Sequence, residues 1–100
     1  MANTFKALAR GAAATSSATL YTVPASTTTL VNNILVVNTA SAAGTYSLLI
    51  DDVSIATTVA VPANDTVVLD IKQVMAAAKT IKGFASAITI NFHISGLEIS

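Results

Sequence analysis

Hydrophobic and polar residues alternate without interruption over residues 87–95. Large apolar side chains occupy every second position, and small polar residues or the chain's one histidine lie between them: Ile88, Ile90, Phe92 and Ile94 against Thr89, Asn91, His93 and Ser95. A period of two is that of a β-strand with one buried face. Because a single strand cannot bury this face alone, we expect its apolar side chains to pack against another wall, formed by Ile34, Val36, Leu48 and Ile50.

Most of the remaining chain is also strand-like. Runs rich in Val, Ile, Leu and Thr are separated by Pro, Gly, Asn, Asp or Ser, which favour turns. The predicted strands are residues 4–8, 19–23, 27–38, 45–50, 53–61, 66–71 and 80–85, followed by the strand from residue 87, which continues past Gly96. Asp51 and Asp52 predict a hairpin turn, and Asn32 and Asn33 predict a bulge rather than a binding pair.

One segment, residues 72–78, breaks the strand pattern because Lys, Gln, Met and Ala are good helix formers. We predict a short helix there, docked through Val74 and Met75. The fold class is therefore predicted as all-β, a two-layer antiparallel β-sandwich that is jelly-roll-like, with about seven or eight strands and one short helix. The sequence Val-Pro-Ala occurs at the end of two predicted strands, at residues 23–25 and 61–63, and predicts two similar connections.

The chain divides into a sandwich domain, residues 20–100, and an N-terminal strand or arm, residues 1–19. Residues 10–19 are mostly Gly, Ala, Ser and Thr without periodicity. Two interpretations stay open: a first strand followed by a long surface loop, or an arm that becomes ordered only on a neighbouring molecule. On the second interpretation, removing residues 2–17 leaves the sandwich folded.

Charge is scarce, since charged residues make up 10% of the chain and the formal net charge is zero. Such a surface does not attract nucleic acid through counterion release, so we expect no nucleic-acid partner. The apolar runs at residues 34–37 and 48–50 are too short to span a bilayer, so we also expect no membrane partner. We recognise no signal peptide and expect synthesis in the cytoplasm. A surface of this kind suits a protein built into an assembly.

The sequence offers no recognisable catalytic, cofactor-binding or metal-binding site. His93 and Ser95 are neighbours on one strand face but have no acid placed to orient the histidine, and the chain has no cysteine to complete a zinc site. Asp51 and Asp52 are adjacent, so they point to opposite faces of a strand. We therefore expect no enzymatic activity and no cofactor.

Four stretches, residues 20–25, 31–39, 61–66 and 94–99, together resemble small virion structural proteins of tailed bacteriophages, and most closely the capsid cement or decoration proteins. The resemblance implies a protein of the phage particle that binds across capsomers of the major capsid protein and stabilises the head, often as a homotrimer. Similar β-sandwich modules occur in phage tails, necks and fibres, so a tail or fibre module that contacts a host glycan is the alternative. Tyr21 and Tyr46 are the tyrosines that could stack on a sugar.

Overall fold

The computed structural model describes residues 3–100, so Met1 and Ala2, part of the predicted N-terminal segment, lie outside the described residues. The described chain is all-β and contains no helix. Its strands are β1 (Asn3–Ala12), β2 (Ala18–Thr22), β3 (Thr28–Asn38), β4 (Gly44–Ile50), β5 (Val53–Val61), β6 (Thr66–Leu69), β7 (Gln73–Met75), β8 (Thr80–Ala85) and β9 (Ile90–Ile99).

The strands form two antiparallel sheets. In the five-stranded sheet the order is β1-β9-β3-β6, with β7 also paired to β3, and in the four-stranded sheet the order is β2-β8-β4-β5. Strand β1 therefore pairs with β9, and β2 with β8. Strand β3 pairs with β9, β6 and β7, and β4 pairs with β8 and β5. This nested pairing, distributed over two sheets, is the arrangement of a jelly-roll sandwich.

The core lies between the two sheets and contains most of the side chains that the alternation placed there. Ile90, Phe92 and Ile94 of β9 are buried with Ile34 and Val36 of β3 and with Leu48 and Ile50 of β4, as predicted. The rings of Tyr46 and Phe92 meet edge to face across the interior, with centroids 6.3 Å apart and an interplanar angle of 75°. The prediction of two packed layers is thus confirmed.

Ile88, in contrast, was wrongly predicted to be buried. Its side chain is 69% exposed, because β9 begins at Ile90 and residues 87–89 form the turn that precedes it. The amide of Ile90 donates to the carbonyl of Ala87 over 3.3 Å, which closes this turn. The alternation of apolar residues thus extends beyond the strand, and its first apolar member faces solvent.

The predicted helix over residues 72–78 is also wrong. The segment holds β7, whose residues Gln73, Val74 and Met75 pair with β3, and Met75 is fully buried in the core. A helix of seven residues is marginal on its own because nucleation is costly. Pairing with β3 supplies both backbone hydrogen bonds and core contacts, so it overrides the local helix propensity. Strand β6 ends at Leu69, two residues earlier than predicted.

The two Val-Pro-Ala sequences form similar connections, as predicted. Each follows a strand of the four-stranded sheet and leads into a strand of the five-stranded sheet, from β2 to β3 and from β5 to β6. Val23 and Val61 are buried at the start of each connection, and the third residue after each valine, Ser26 and Asn64, has a positive φ, of 56° and 55°. The same local sequence therefore turns the chain from one layer to the other twice.

Other predicted irregularities are present where expected. Asp51 and Asp52 form the two-residue turn between β4 and β5, with φ values of 57° and 60°, which is typical of hairpin turns with left-handed residues. The pairing of β3 with β9 shifts between Val31 and Asn33, so Asn32 is the extra residue of a bulge. Strand β9 continues past Gly96 to Ile99.

Candidate functional site

The residues considered for catalysis fall into two separate places: His93 and Ser95 lie near each other on the outward face of β9, and Asp51 and Asp52 lie elsewhere. His93 is on the outer face of the five-stranded sheet, with Arg10 and Leu35 as its cross-strand neighbours. Asp51 and Asp52 are in the exposed β4–β5 turn at the end of the four-stranded sheet, where the Nζ of Lys82 lies 2.7 Å from Asp52 Oδ1. Within residues 3–100, no group of three or more His, Asp or Glu side chains is arranged to hold a metal ion.

The outer face of the five-stranded sheet carries an unusual row of apolar side chains. Because Phe5 pairs with Leu97, Leu97 with Leu30 and Leu30 with Val74, these four residues lie side by side across β1, β9, β3 and β7. Phe5 is 88% exposed and Val74 is 70% exposed, while the two leucines between them are half-buried. We call these four residues the apolar row.

A second outward-facing row crosses the same sheet at Arg10, His93, Leu35 and Val68. Val68 is 61% exposed and Leu35 is half-buried. Leu35 and Val37 point outward while Ile34 and Val36 are buried, so residues 34–37 present apolar side chains on both faces of the strand. Large apolar side chains that are exposed together on one face are a feature of interaction sites.

A hollow of about 400 Å³ lies on this face, next to the apolar row. Residues of β1, β3 and β9 line it: Phe5, Lys6, Ala7, Arg10, Leu30, Asn32, Ser95, Gly96 and Leu97. The small residues Ala7 and Ser95 leave the space open. Gly96 is required there, because a Cβ atom at this position would collide with the carbonyl oxygen of Leu30 and the side chain of Leu8.

The outer face of the four-stranded sheet has a different character. Since Ile81, Gly83 and Ala85 point inward, the outward positions of β8 are Thr80, Lys82 and Phe84. Their cross-strand neighbours on β2 and β4 are three hydroxyl residues, Thr19, Thr22 and Ser47, and one apolar residue, Leu49. Both sheets thus expose apolar side chains, since the edge strand β5 of the four-stranded sheet exposes Val53 and Ile55, but the row that contains Phe5 is on the five-stranded sheet.

The edges of both sheets carry features that oppose pairing with another chain. The edge strand β1 has Lys6 and Arg10 and a bulge near Leu8, and the other edge of its sheet is divided into β6 and β7 with Asp70 and Lys72 between them. Strand β2 has five residues, and β5 contains two irregularities in its pairing with β4. The outer face of a sheet is therefore better suited to association with another chain than the edge of a sheet is.

Glu98 is the one acidic residue within a strand, and it points into the sandwich. Its carboxylate accepts a hydrogen bond from the hydroxyl of Tyr21 and lies 3.5 Å from the Nζ of Lys6. The hydroxyls of Tyr21 and Thr29 are 2.8 Å apart. Burial, reinforced by the hydrogen bond to Glu98, raises the pKa of Tyr21 to about 12. This network joins β1, β2, β3 and β9 and gives Glu98 a structural role.

Sequence reasoning did not find the apolar row. Phe5 is separated from Leu97 by most of the chain, and the row exists only through the pairing of β1 with β9. The signal that could have indicated it is a large aromatic residue within an otherwise small and polar N-terminal segment.

In the part of the chain that the structure describes, no helix is long and apolar enough to cross a membrane.

Comparisons with known proteins identify no relative: the chain matches no family model, and no curated protein and no solved structure is detectably similar to it.

Proposed function

We propose that the protein is a non-enzymatic structural component of a tailed-phage particle, a capsid cement or decoration protein. It binds the outside of the assembled head across capsomers of the major capsid protein and adds buried area where the shell would otherwise open. Its function is mechanical, it needs no cofactor, and it is synthesised in the host cytoplasm before joining the particle. Nucleic acid and membrane are not its partners.

The observation that carries this proposal is the exposed apolar face of the five-stranded sheet. A side chain as large as Phe5 at 88% exposure is costly to leave in water, and burying it against a partner recovers about 1.5–3 kcal/mol. The low charge of the chain agrees with a surface that is covered in the assembled state. The jelly-roll pairing also agrees, because viral capsid proteins use this architecture.

A glycan-binding module of a tail, neck or fibre is the alternative, and the positions of the tyrosines weigh against it. Tyr21 is 8% exposed and Tyr46 is 1% exposed, so neither ring offers a face for a sugar to stack on. Tyr21 also uses its hydroxyl within the network around Glu98. The ring of Phe5, 88% exposed, is the aromatic face that a glycan could still use, so the copy number in the particle decides between the two roles.

We also propose that the protein acts as a homo-oligomer, and the resemblance to cement proteins favours a trimer at threefold positions of the shell. Many copies acting along one seam hold it strongly even when each contact is weak. The expected state is a trimer of a 10.1 kDa chain, which light scattering coupled to size-exclusion chromatography measures directly.

The proposal is tested by counting copies in the virion. Purified particles of the phage that encodes this chain are separated on a denaturing gel, and its band is quantified against that of the major capsid protein. A cement protein is expected in hundreds of copies, in a fixed ratio to the capsid protein. A few copies per particle would favour the tail or fibre module, and its absence from the particle would refute both.

A further inference from the structure

We propose that the hollow beside the apolar row is an anchor site for an apolar side chain that carries, or lies next to, a carboxylate. This inference rests on the proposed function for one point, the identity of the partner, which is then the major capsid protein. It adds what the partner inserts into the hollow, namely an apolar side chain with a carboxylate. The rest of the proposal does not depend on which protein the partner is, because the hollow is formed by this chain alone.

The shape of the hollow fits one anchoring side chain. Its volume of about 400 Å³ lies at the lower end of the range of small-ligand pockets, and Phe5, Leu30 and Leu97 supply apolar walls. Ala7 and Ser95, which pair with each other on neighbouring strands, keep the space between the walls free. Central pockets of this kind receive the residues that contribute most of the binding energy at protein interfaces.

The charges around the hollow select the ligand. Arg10 lines it and pairs across the sheet with the outward His93, whereas the Nζ of Lys6 lies on the inner side, 3.5 Å from Glu98. No side-chain carboxylate faces the hollow from the described strands of this sheet. Asp51, Asp52, Asp65 and Asp70 lie in turns or loops between strands, and Glu98 points into the sandwich. A guanidinium at the rim of an apolar pocket binds a carboxylate well, because its planar fork matches the two oxygens.

Two other occupants fit these charges less well. A second copy placed face to face would bring Arg10 to an interface without a carboxylate to pair with, and burying an unpaired charge is costly. A nucleic-acid backbone would find one basic side chain, Arg10, beside a largely apolar wall on a chain of zero net charge, which is too few for counterion release to drive binding.

The test uses the purified full chain and ¹⁵N-labelled NMR, with N-acetyl-L-leucine as the probe. A ligand this small is expected to bind with a dissociation constant on the order of millimolar and to shift the amides of Ala7, Ser95 and Leu97 in a saturable way. N-acetyl-L-leucinamide, which lacks the carboxylate, and Arg10→Gln are each expected to weaken binding several-fold. Inorganic phosphate is expected to leave these amides unshifted.

Ala7→Leu places a larger side chain on the floor of the hollow, between its apolar walls, and is expected to abolish the shifts, whereas Ala12→Leu, on the same strand and also exposed, serves as the matched control. Both positions lie outside the core, so the dispersion of the spectrum verifies that each variant is folded. The inference is overturned if no saturable shift appears up to about 50 mM probe, well above the millimolar constant expected for such a fragment. It is also overturned if the amide analogue or phosphate gives the same shifts, or if Ala7→Leu binds like the parent chain.

These outcomes are independent of those that test the cement role. If the parent chain decorates virions but does not bind the probe, the hollow is not the anchor and the proposed function stands. If the chain binds the probe but is missing from virions, the proposed function fails and the site remains.

Discussion

Phe92 and His93 are adjacent in β9 but lie on opposite faces of the sheet. Substitutions at these two positions therefore test directly which face of the strand is buried. Phe92 is 1% exposed and packs against Tyr46, and replacing it with alanine leaves a cavity between the sheets. We expect Phe92→Ala to lower the free energy of unfolding by about 3–5 kcal/mol in urea denaturation. His93→Ala, on the outer face, is the control and is expected to change it by less than about 0.5 kcal/mol. Equal losses for the two variants would mean that the faces are reversed.

Tyr21 tests the network that joins four strands. Tyr21→Phe retains the ring but removes the hydroxyl that contacts Thr29 and Glu98, which leaves polar groups without that partner inside the sandwich. We expect a loss of about 1–3 kcal/mol in the free energy of unfolding at neutral pH. A variant as stable as the parent would show that water replaces the hydroxyl at no cost.

The same residue predicts how stability depends on alkaline pH. The pKa of Tyr21 is raised from 10.0 to about 12 in the folded chain, so the folded state holds the phenolic proton more tightly than the unfolded state. This stabilisation is complete below pH 10 and is lost as the pH rises through about 12. We expect the free energy of unfolding to fall over this range less steeply in Tyr21→Phe than in the parent. Tyr46, whose pKa burial also raises, accounts for part of the fall that remains.

At the scale of elements, Gly96 controls how closely β9 approaches β3. An added Cβ would collide with the backbone carbonyl of Leu30, and a strand backbone moves less readily than a side chain. We expect Gly96→Ala to destabilise the protein by about 3 kcal/mol, the upper end of what overpacking costs. Ser95→Ala, one residue earlier and half-buried, is the matched control and is expected to have a small effect. Comparable thermal melting temperatures for the two variants would contradict the close approach.

Local pattern predicted most strands but failed where pairing outweighed it. The alternation around Tyr46, Leu48 and Ile50 gave β4 correctly, because all three side chains are buried in the core on one face of the strand. In β7 the helix-forming residues around Met75 were overridden by pairing with β3, which no local pattern reveals. Ile88 shows the converse error, in which a correct period continues into a turn where the chain is no longer in the sheet.

At the scale of the whole molecule, the candidate site could not be predicted because it depends on register. The apolar row joins Phe5, Leu30, Val74 and Leu97, which come from four strands distributed over the chain. A shift of one residue in the pairing of β1 with β9 would turn Phe5 inward and place Lys6 outside. The sequence contains the residues of the site, but only the paired sheet brings them together on one face.

The position of β1 changes what is expected when the N-terminus is removed. Residues of β1 pair with β9 along its whole length, and Leu8 and Ala13 contribute to the core. Deleting residues 2–17 therefore removes an edge strand and leaves the ten-residue β9 as a new, unprotected edge. We expect the truncated chain to melt at a lower temperature and to form large species in sedimentation velocity, whereas removing residue 2 alone is expected to have no such effect. A truncated chain that does not form large species and melts at the same temperature as the parent would show that residues 2–17 are a separable arm. If that chain also failed to stay bound to capsids, attachment would be assigned to the arm rather than to the face of the sheet.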